Sequence, residues 1–345
     1  MKKFRIGIIG AGGIAKARHI PVFLKMKEKV TLSAVQDLNE SRAREVAEEY
    51  GIEHVFSDYR DMFLEVDAVA ICTPNKFHAE ITIAALEAGV HVLCEKPMAI
   101  SAVECEAMIA SSKKSGKVLA IAYHYRFKKE SQAAKRAIEK GEIGESIVTR
   151  IQALRRRKVP NWGVFTNKEL QGGGSLIDYG CHLLDLSLWL MEDVKPVDVV
   201  GKTYNRLSKQ PNQVNEWGSF DHETFEVDDH VTSYITFDNG ASLLFECSWS
   251  ANIKSDAEHV SISGVDGGIN VFPLELYHAK DGMLVNRTEQ TILGEDNPWV
   301  SQAENFIAAC LGEAALVVKP EDALKVTKII EAIYRSSETG EKVPL

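Results

Sequence analysis

The sequence predicts a two-domain α/β protein: a doubly wound parallel sheet over residues 1–125, then an α+β domain over residues 126–345 with a large open, mainly antiparallel sheet. Three observations carry this expectation. Up to residue 125, short apolar runs alternate with helical stretches, as in a parallel sheet covered on both faces. From Val197 to about Leu293, strand signals follow one another without helices, which implies antiparallel neighbours with one face left to solvent or a partner. A chain of 345 residues is also long for one core and suits two domains.

The elements follow in order. Phe4 to Ile9 reads as the first strand, and Ile14 to Lys27 as a helix opened by a glycine turn. Val30 to Val35 is the second strand, with a charged helix from Asn39 to Tyr50. Val66 to Cys72 is a buried strand stopped by Thr73-Pro74. The helix Phe77 to Ala88 is closed by Gly89, which tolerates the left-handed cap conformation. Val90 to Cys94 is a strand leading into Glu95-Lys96-Pro97, Ser101 to Ser115 a helix, and Val118 to Ala122 a further strand. Beyond residue 125 come a helix (Glu130 to Lys140), a strand (Ser146 to Leu154) and an apolar helix (Leu176 to Met191). Thr232 to Phe237 and Ala241 to Ser248 flank Asp238-Asn239-Gly240, a hairpin signal. Val260 to Ser263, Ile269 to Phe272, Leu276 to His278 and Met283 to Val285 add short strands, and helices Trp299 to Leu311 and Pro320 to Thr339 close the chain.

Composition narrows the class. Apolar residues at 45% and charged residues at 26% are ordinary globular values. A net charge of −9 argues against a nucleic-acid partner, which a basic face would attract. The run Arg155-Arg156-Arg157-Lys158 is a local exception, either a solvated loop or a clamp for an anionic group. The six cysteines are scattered without a C-x-x-C pair, so a structural zinc site is not expected and a reducing compartment is. No apolar stretch approaches the ~20 residues of a membrane span. Met1-Lys2-Lys3-Phe4 leads straight into a strand and lacks a signal peptide's apolar stretch. A soluble cytoplasmic protein is expected, with no membrane partner.

Gly10-Ala11-Gly12-Gly13-Ile14-Ala15 matches G-x-G-x-x-A between a strand and a helix, the context that gives the motif meaning. Gly10 permits the tight turn, and Gly12 lets backbone approach a pyrophosphate. Ala15 allows close helix–strand contact. Phosphate would rest on the amides of Gly12, Gly13 and Ile14 at the helix start. Asp37 follows the second strand, where a carboxylate can accept from both ribose hydroxyls and repel a 2′-phosphate. That favours NAD over NADP, although Asp37 could equally be a helix cap. Arg42 and Arg44 would soften the preference if they turned inward, but a solvated helix face is the simpler expectation. Thr73-Pro74-Asn75 ends its strand on the same sheet edge and is placed to line the cofactor, unless it is a plain turn.

Lys96 sits where a buried strand ends, beside the crevice in which such sheets bind ligands. Gly172-Gly173-Gly174 precedes a nearly all-apolar helix interrupted by Asp178, His182 and Asp185 at i, i+4 and i+7, hence on one helical face. The glycines suit a loop approaching a ligand, and Gly180 inside the helix leaves room for something bulky. A buried Asp–His pair is the plain alternative. As chemistry, His182 can take an alcohol proton while hydride leaves carbon, a carboxylate can orient the ring, and Lys96 can hydrogen-bond the oxygen as charge develops.

Residues 7–15, 72–78, 94–98 and 172–185 together resemble the Gfo/Idh/MocA oxidoreductases, the glucose–fructose oxidoreductase and inositol dehydrogenase family. The carrying motifs are Glu95-Lys96-Pro97 and G-G-G-x-L-x-D-x-G-x-H over 172–182. The resemblance implies a Rossmann domain followed by a domain whose open sheet forms homodimers or homotetramers. It also implies an NAD(P)-dependent dehydrogenase acting on a secondary alcohol or ketone of a sugar or cyclic polyol. Lys96, Asp178 and His182 are then catalytic and touch substrate, with a cis Lys96–Pro97 peptide. Cofactor contacts extend to His78, Glu95 and Lys96. Tyr123, Arg156 and Trp162 would help bind substrate, Trp162 as an aromatic wall for a sugar face. His124 is either a second titrating group or a packed ring. A non-catalytic dinucleotide- and sugar-binding regulatory protein is the alternative in another class. Reduction of an aldose–ketose pair, an imine or an enone would use the same apparatus. No metal site is expected.

Overall fold

The computed structural model describes residues 3–192, 194–288 and 291–345. Met1 and Lys2, read above as part of the amino-terminal run, lie outside these residues, as do Asp193, Glu289 and Gln290. The chain divides into two compact units, Met1–His124 with Asn297–Leu324 and Tyr125–Asp296 with Lys325–Leu345.

The first unit is built on six parallel strands, β1 (Phe4–Ile9), β2 (Val30–Gln36), β3 (His54–Phe56), β4 (Ala68–Ile71), β5 (His91–Cys94) and β6 (Leu119–Ile121). Their order is β3-β2-β1-β4-β5-β6. All four residues of β4 are fully buried, so the strand reads as a continuous apolar run without alternation. β3 escapes sequence reading because its three residues are half-buried and carry no apolar run. Helix Pro298–Cys310 sends Val300, Ala303, Phe306 and Ile307 into this unit's core, although it lies far along the chain. The helix over His78–Glu87 ends at Gly89, whose φ of 81° is the expected left-handed closure.

The second unit holds nine strands: β7 (Ser146–Leu154), β8 (Pro196–Tyr204), β9 (His230–Phe237), β10 (Ser242–Ser248), β11 (Ala257–Gly264), β12 (Gly268–Asn270), β13 (Glu275–Lys280), β14 (Met283–Thr288) and β15 (Val343–Pro344). The order is β14-β13-β12-β11-β7-β10-β9-β8-β15. All neighbours are antiparallel except β7 and β10, which run parallel from Val148 opposite Ser242 to Leu154 opposite Ser248. The sheet is therefore mixed. Hairpin signals fix only the antiparallel contacts between sequence neighbours, and β7 meets β10 across some ninety intervening positions. β9 and β10 form the expected hairpin, with Gly240 at φ 85°. The helical stretch Leu176–Leu190 lies on one face of this sheet, where a Cβ on Gly180 would meet Phe245 Cζ at 2.7 Å and Cys247 Sγ at 2.9 Å.

Candidate active site

In the first unit the parallel sheet brings the carboxyl ends of β1, β2, β4 and β5 to one edge. Strand order reverses between β1 and β4, the place where such sheets bind ligands. The glycine turn leaves β1 there. Gly10 has φ 90°, and a Cβ on it would strike the Cys72 carbonyl oxygen at 2.8 Å, so the turn requires glycine. Nothing lies within 4 Å of a Cβ built on Gly12 or Gly13. That open space fits a pyrophosphate resting on backbone. The following turn, Ala15–His19, is π-helical, with Ile20 N–H donating to the Ala15 carbonyl five residues back.

Asp37 at the end of β2 is buried and organises this turn. Its Oδ2 accepts from Ala11 N–H at 2.9 Å and its Oδ1 from Asn39 N–H at 2.8 Å. The helix cap proper is Asn39, which accepts from Arg42 N–H at 3.2 Å. Arg42 leans inward, its Nη1 3.4 Å from Asp37 Oδ2, while Arg44 pairs with Glu40 on the exposed face. The expectation of a solvated face thus holds for Arg44 and not for Arg42. The buried carboxylate attracts the one guanidinium within reach.

Thr73, Pro74 and Asn75 follow β4, with Asn75 buried. His78 is fully buried beneath them: Nδ1 lies 2.8 Å from the Pro97 carbonyl oxygen and Nε2 3.0 Å from that of Thr73. Burial pushes its pKa down, although both carbonyls favour the charged ring. A neutral ring carries one N–H and donates to one carbonyl at a time. His78 therefore straps the Thr73 turn to the Lys96–Pro97 turn and offers no surface to a cofactor, contrary to the direct contact expected of it.

Lys96 is half-buried just past β5, and its peptide bond to Pro97 is cis. Glu95 is buried beside it. Glu95 Oε2 accepts from Lys96 N–H at 3.1 Å, and Oε1 lies 2.7 Å from His19 Nε2. Burial disfavours charge on both partners, yet the outcome is an ion pair. The Cys72 side chain and Glu95 together hold the His19 pKa well above the usual histidine range, and His19 holds the Glu95 pKa low. Sequence reading missed His19, which is 76 positions from its partner and looks like an ordinary helix residue. Tyr123 is fully buried and belongs to the core, so it presents no surface for the substrate contact expected of it. The His124 ring stacks on Trp299 at 4.4 Å, with Arg18 on the same indole at 4.2 Å, which makes it a packed histidine.

In the second unit, Asp178 and His182 are carried by the helical stretch that opens as a π turn over Leu176–Gly180. Cys181 N–H donates five residues back to Leu176. This wide turn breaks the common face predicted for Asp178, His182 and Asp185, because the i, i+4 rule assumes an α-helix. Each residue has its own surroundings. Asp178 Oδ2 accepts from Trp249 Nε1 at 3.0 Å and from Arg155 Nη1 at 3.4 Å. The ring of His182, mostly buried, lies 5.1 Å from that of Tyr125. Asp185 is fully buried in a two-pronged pair with Arg126, at 2.9 and 2.6 Å. Such a pair is structural, since breaking it would strand a buried charge.

Around them lies a network with no local sequence signal. Glu258 accepts from Tyr125 Oη at 2.5 Å, Tyr179 Oη at 3.2 Å and Lys128 Nζ at 2.8 Å. Burial first, and Glu258 next, push the pKa of both tyrosines up, so they stay protonated donors. The carboxylate of Asp228 takes four hydrogen bonds, from Gly174 N–H (2.8 Å), Tyr334 Oη (2.6 Å), Ser175 Oγ (2.8 Å) and Leu176 N–H (2.9 Å). It fixes the loop ahead of Asp178. A Cβ on Gly173 would strike Tyr334 Oη at 2.0 Å, and one on Gly174 the Asp228 carbonyl oxygen at 2.0 Å. These glycines, like Gly180, admit protein neighbours rather than a ligand. The basic run is also spoken for. Arg156 donates to the Lys254 carbonyl, Arg157 to Gln213 and Asn252, and Lys158 to Asp256. It staples loops, and Arg156 is not disposed as a substrate clamp. Trp162 stays half exposed. Among the described residues, no cluster of His, Cys, Asp or Glu could hold a metal ion, and no helix is long and apolar enough to cross a membrane.

Residues 4–123 match the family model of an oxidoreductase NAD-binding Rossmann fold, and residues 135–345 that of the oxidoreductase C-terminal alpha/beta domain. The chain is 37% identical to D-glucoside 3-dehydrogenase of Escherichia coli over 99% of its own length and 97% of the relative's. It is 27% identical to D-xylose 1-dehydrogenase (NADP(+)) 2 of Haloferax volcanii, over 98% of this chain and 99% of that one. Among solved structures, levoglucosan dehydrogenase in complex with NADH and L-sorbose superposes with a TM-score of 0.87 at 27% identity, covering 99% of this chain and 98% of the other. Levoglucosan dehydrogenase of Pseudarthrobacter phenanthrenivorans is 30% identical over 78% of this chain and 73% of its own. With family models matching both domains and a 37% identical relative covered over nearly its whole length, the chain belongs to the Gfo/Idh/MocA oxidoreductase family.

Proposed function

We propose that this oxidoreductase is an NAD-dependent dehydrogenase that oxidises a secondary alcohol of a sugar, glycoside or cyclic polyol. The observation that carries the reading is Lys96, half-buried at the end of β5 on the sheet edge that also presents the glycine turn and Asp37. The names of the relatives point to the substrate class. NAD, when bound, supplies the hydride acceptor. His182 takes the hydroxyl proton, and the negative Asp178, held in direction by Trp249 and Arg155, favours the charged ring that results. The Lys96 ammonium, at the sheet edge of the first unit, is a donor for negative charge that builds on a substrate oxygen. Glu95, locked by His19, fixes the backbone from which Lys96 extends.

Asp37 favours NAD, and Arg42 tempers that preference by covering one carboxylate oxygen. NADP is then a weaker cofactor, and Arg42→Ala lowers NADP use relative to NAD. An unchanged ratio of kcat/KM values would remove Arg42 from this role. Five of the six cysteines are buried, which suits thiols in a reducing cytoplasm. Assembly would be a homodimer or homotetramer through the second unit's sheet. The test of function is NADH formation with a panel of sugars, methyl glycosides and inositols. Reduction of NAD by at least one of them is expected; NAD binding with no reduction by any would contradict the proposal.

A further inference from the structure

The second unit carries a cluster of partly exposed aromatic rings on two loops. Trp162 is 51% exposed, and its ring lies 5.2 Å from that of Trp217 and 6.2 Å from that of Phe165. The Arg155 guanidinium sits 4.9 Å over Trp217 and 4.1 Å over Tyr179, and it donates to Asp178 Oδ2. Contacts therefore run without a break from a proposed catalytic carboxylate, through Arg155 and the half-buried Trp217, to the exposed indole of Trp162.

The two loops are fastened by polar contacts that do not involve the indoles. Asn215 Oδ1 accepts from Val159 N–H at 2.8 Å, and its Nδ2 donates to the carbonyls of Val159 at 2.9 Å and Gly218 at 2.7 Å. Arg157 donates to Gln213 at 2.6 Å, and Lys158 pairs with Glu216 at 3.5 Å. Gly218 has φ 92°, and a Cβ there would press on the Asn161 side chain at 2.7 Å. The platform is thus held in place whatever stands at position 162, where half an indole is left facing water. Arg155 pairs with Asp178 and Lys158 with Asp256 and Glu216, while Arg157 is hydrogen-bonded to the neutral amides of Gln213 and Asn252. The two indoles meet at 49° and Trp162 meets Phe165 at 77°, so the rings make an apolar angle in which a ligand ring can stack on one indole and pack obliquely against the other.

We infer that Trp162 and Trp217 form a subsite for the ring-bearing aglycone of a glycoside, whose glycosyl ring reaches Asp178. The inference rests on the sugar dehydrogenase reading and deepens it: the substrate is a glycoside, recognised on both sides of its glycosidic oxygen.

The experiment is calorimetric titration of the NADH-loaded protein with phenyl and methyl β-D-glucoside, which reads binding without turnover. The wild type is expected to bind the phenyl glucoside about tenfold more tightly, the scale of one good aromatic stack. Trp162→Ala and Trp217→Ala, made separately, should each remove most of that gap. Equal affinities in the wild type, or a gap kept in both variants, would overturn the subsite. If neither glucoside binds, the subsite falls while NADH formation with a free sugar still supports the dehydrogenase. Phenyl-selective binding with no NAD reduction by any substrate keeps the subsite and sinks the dehydrogenase reading.

Discussion

His19 and Glu95 form a buried contact that holds the backbone of Lys96, the residue proposed to act on substrate. The pair is 2.7 Å long, almost free of solvent, and lies directly behind the backbone of Lys96. Burial opposes both charges, and each ion is kept by its partner, with Cys72 adding to the pull on His19. The raised His19 pKa contributes stability that is fully present below the unfolded value, about 6.5, and fades as pH rises through the folded value. The lowered Glu95 pKa contributes above its unfolded value of about 4.3 and fades as pH falls through the folded one. Between those limits the pair contributes in full. His19→Gln should therefore cost about 3–5 kcal/mol near pH 6, the scale for breaking a buried pair. The deficit should shrink in alkaline buffer. Urea melts at the two pH values read this directly, and a deficit that does not change between them would mean His19 is neutral. No sequence rule would have joined His19 to Glu95, whereas the position of Lys96 just past a buried strand was legible from the apolar run and the proline that follow one another there.

At the level of the element, the glycines separate into two kinds. Gly12 faces open space, so a methyl group there fits the fold but stands where backbone must approach a pyrophosphate. Gly174 faces the Asp228 carbonyl at 2.0 Å, and backbone cannot yield as a side chain can. Gly12→Ala should leave the melting temperature nearly unchanged and weaken NAD binding. Gly174→Ala should lower stability by about 1–3 kcal/mol, the usual cost of overpacking. Thermal melts with NAD titrations distinguish the two, and the reverse pattern would refute the assignment. The sequence revealed that glycines cluster at both places but not what each one faces. It likewise revealed Asp178, His182 and Asp185 as polar breaks in an apolar helix. It could not reveal the π turn that separates their surroundings, because the i, i+4 pattern presumes regular winding.

For the whole molecule, the parallel sheet was readable in its buried strands, which are continuous apolar runs, but not in the half-buried β3. The second sheet was readable as strands except for β8 and β15, and not as an order, because β7 finds β10 and β11 through contacts distant in sequence. Its outer face remains unaccounted for within one chain. Leu244, Tyr234 and Val200 stand directly opposite one another across β10, β9 and β8 and are each nearly half exposed. They alternate with Phe245, which faces the helix, so they point to the other side. They line a groove of about 860 Å³. A contiguous apolar row of this kind is typical of an association surface. Leu244→Glu should shift the protein toward monomer on gel filtration with light scattering. A variant of unchanged mass, or a monomeric wild type, would rule this face out.

The central proposal is that hydride transfer needs both Lys96, as a donor to developing negative charge, and His182, as the proton acceptor. The most direct measurement is NADH formation by Lys96→Ala and His182→Ala on the best sugar substrate, with NAD affinity measured on the same preparations. Each variant should lose about a hundred- to ten-thousand-fold in kcat, the range for removing a general acid–base group, while binding NAD nearly as the wild type does. Full activity in either variant would contradict the account.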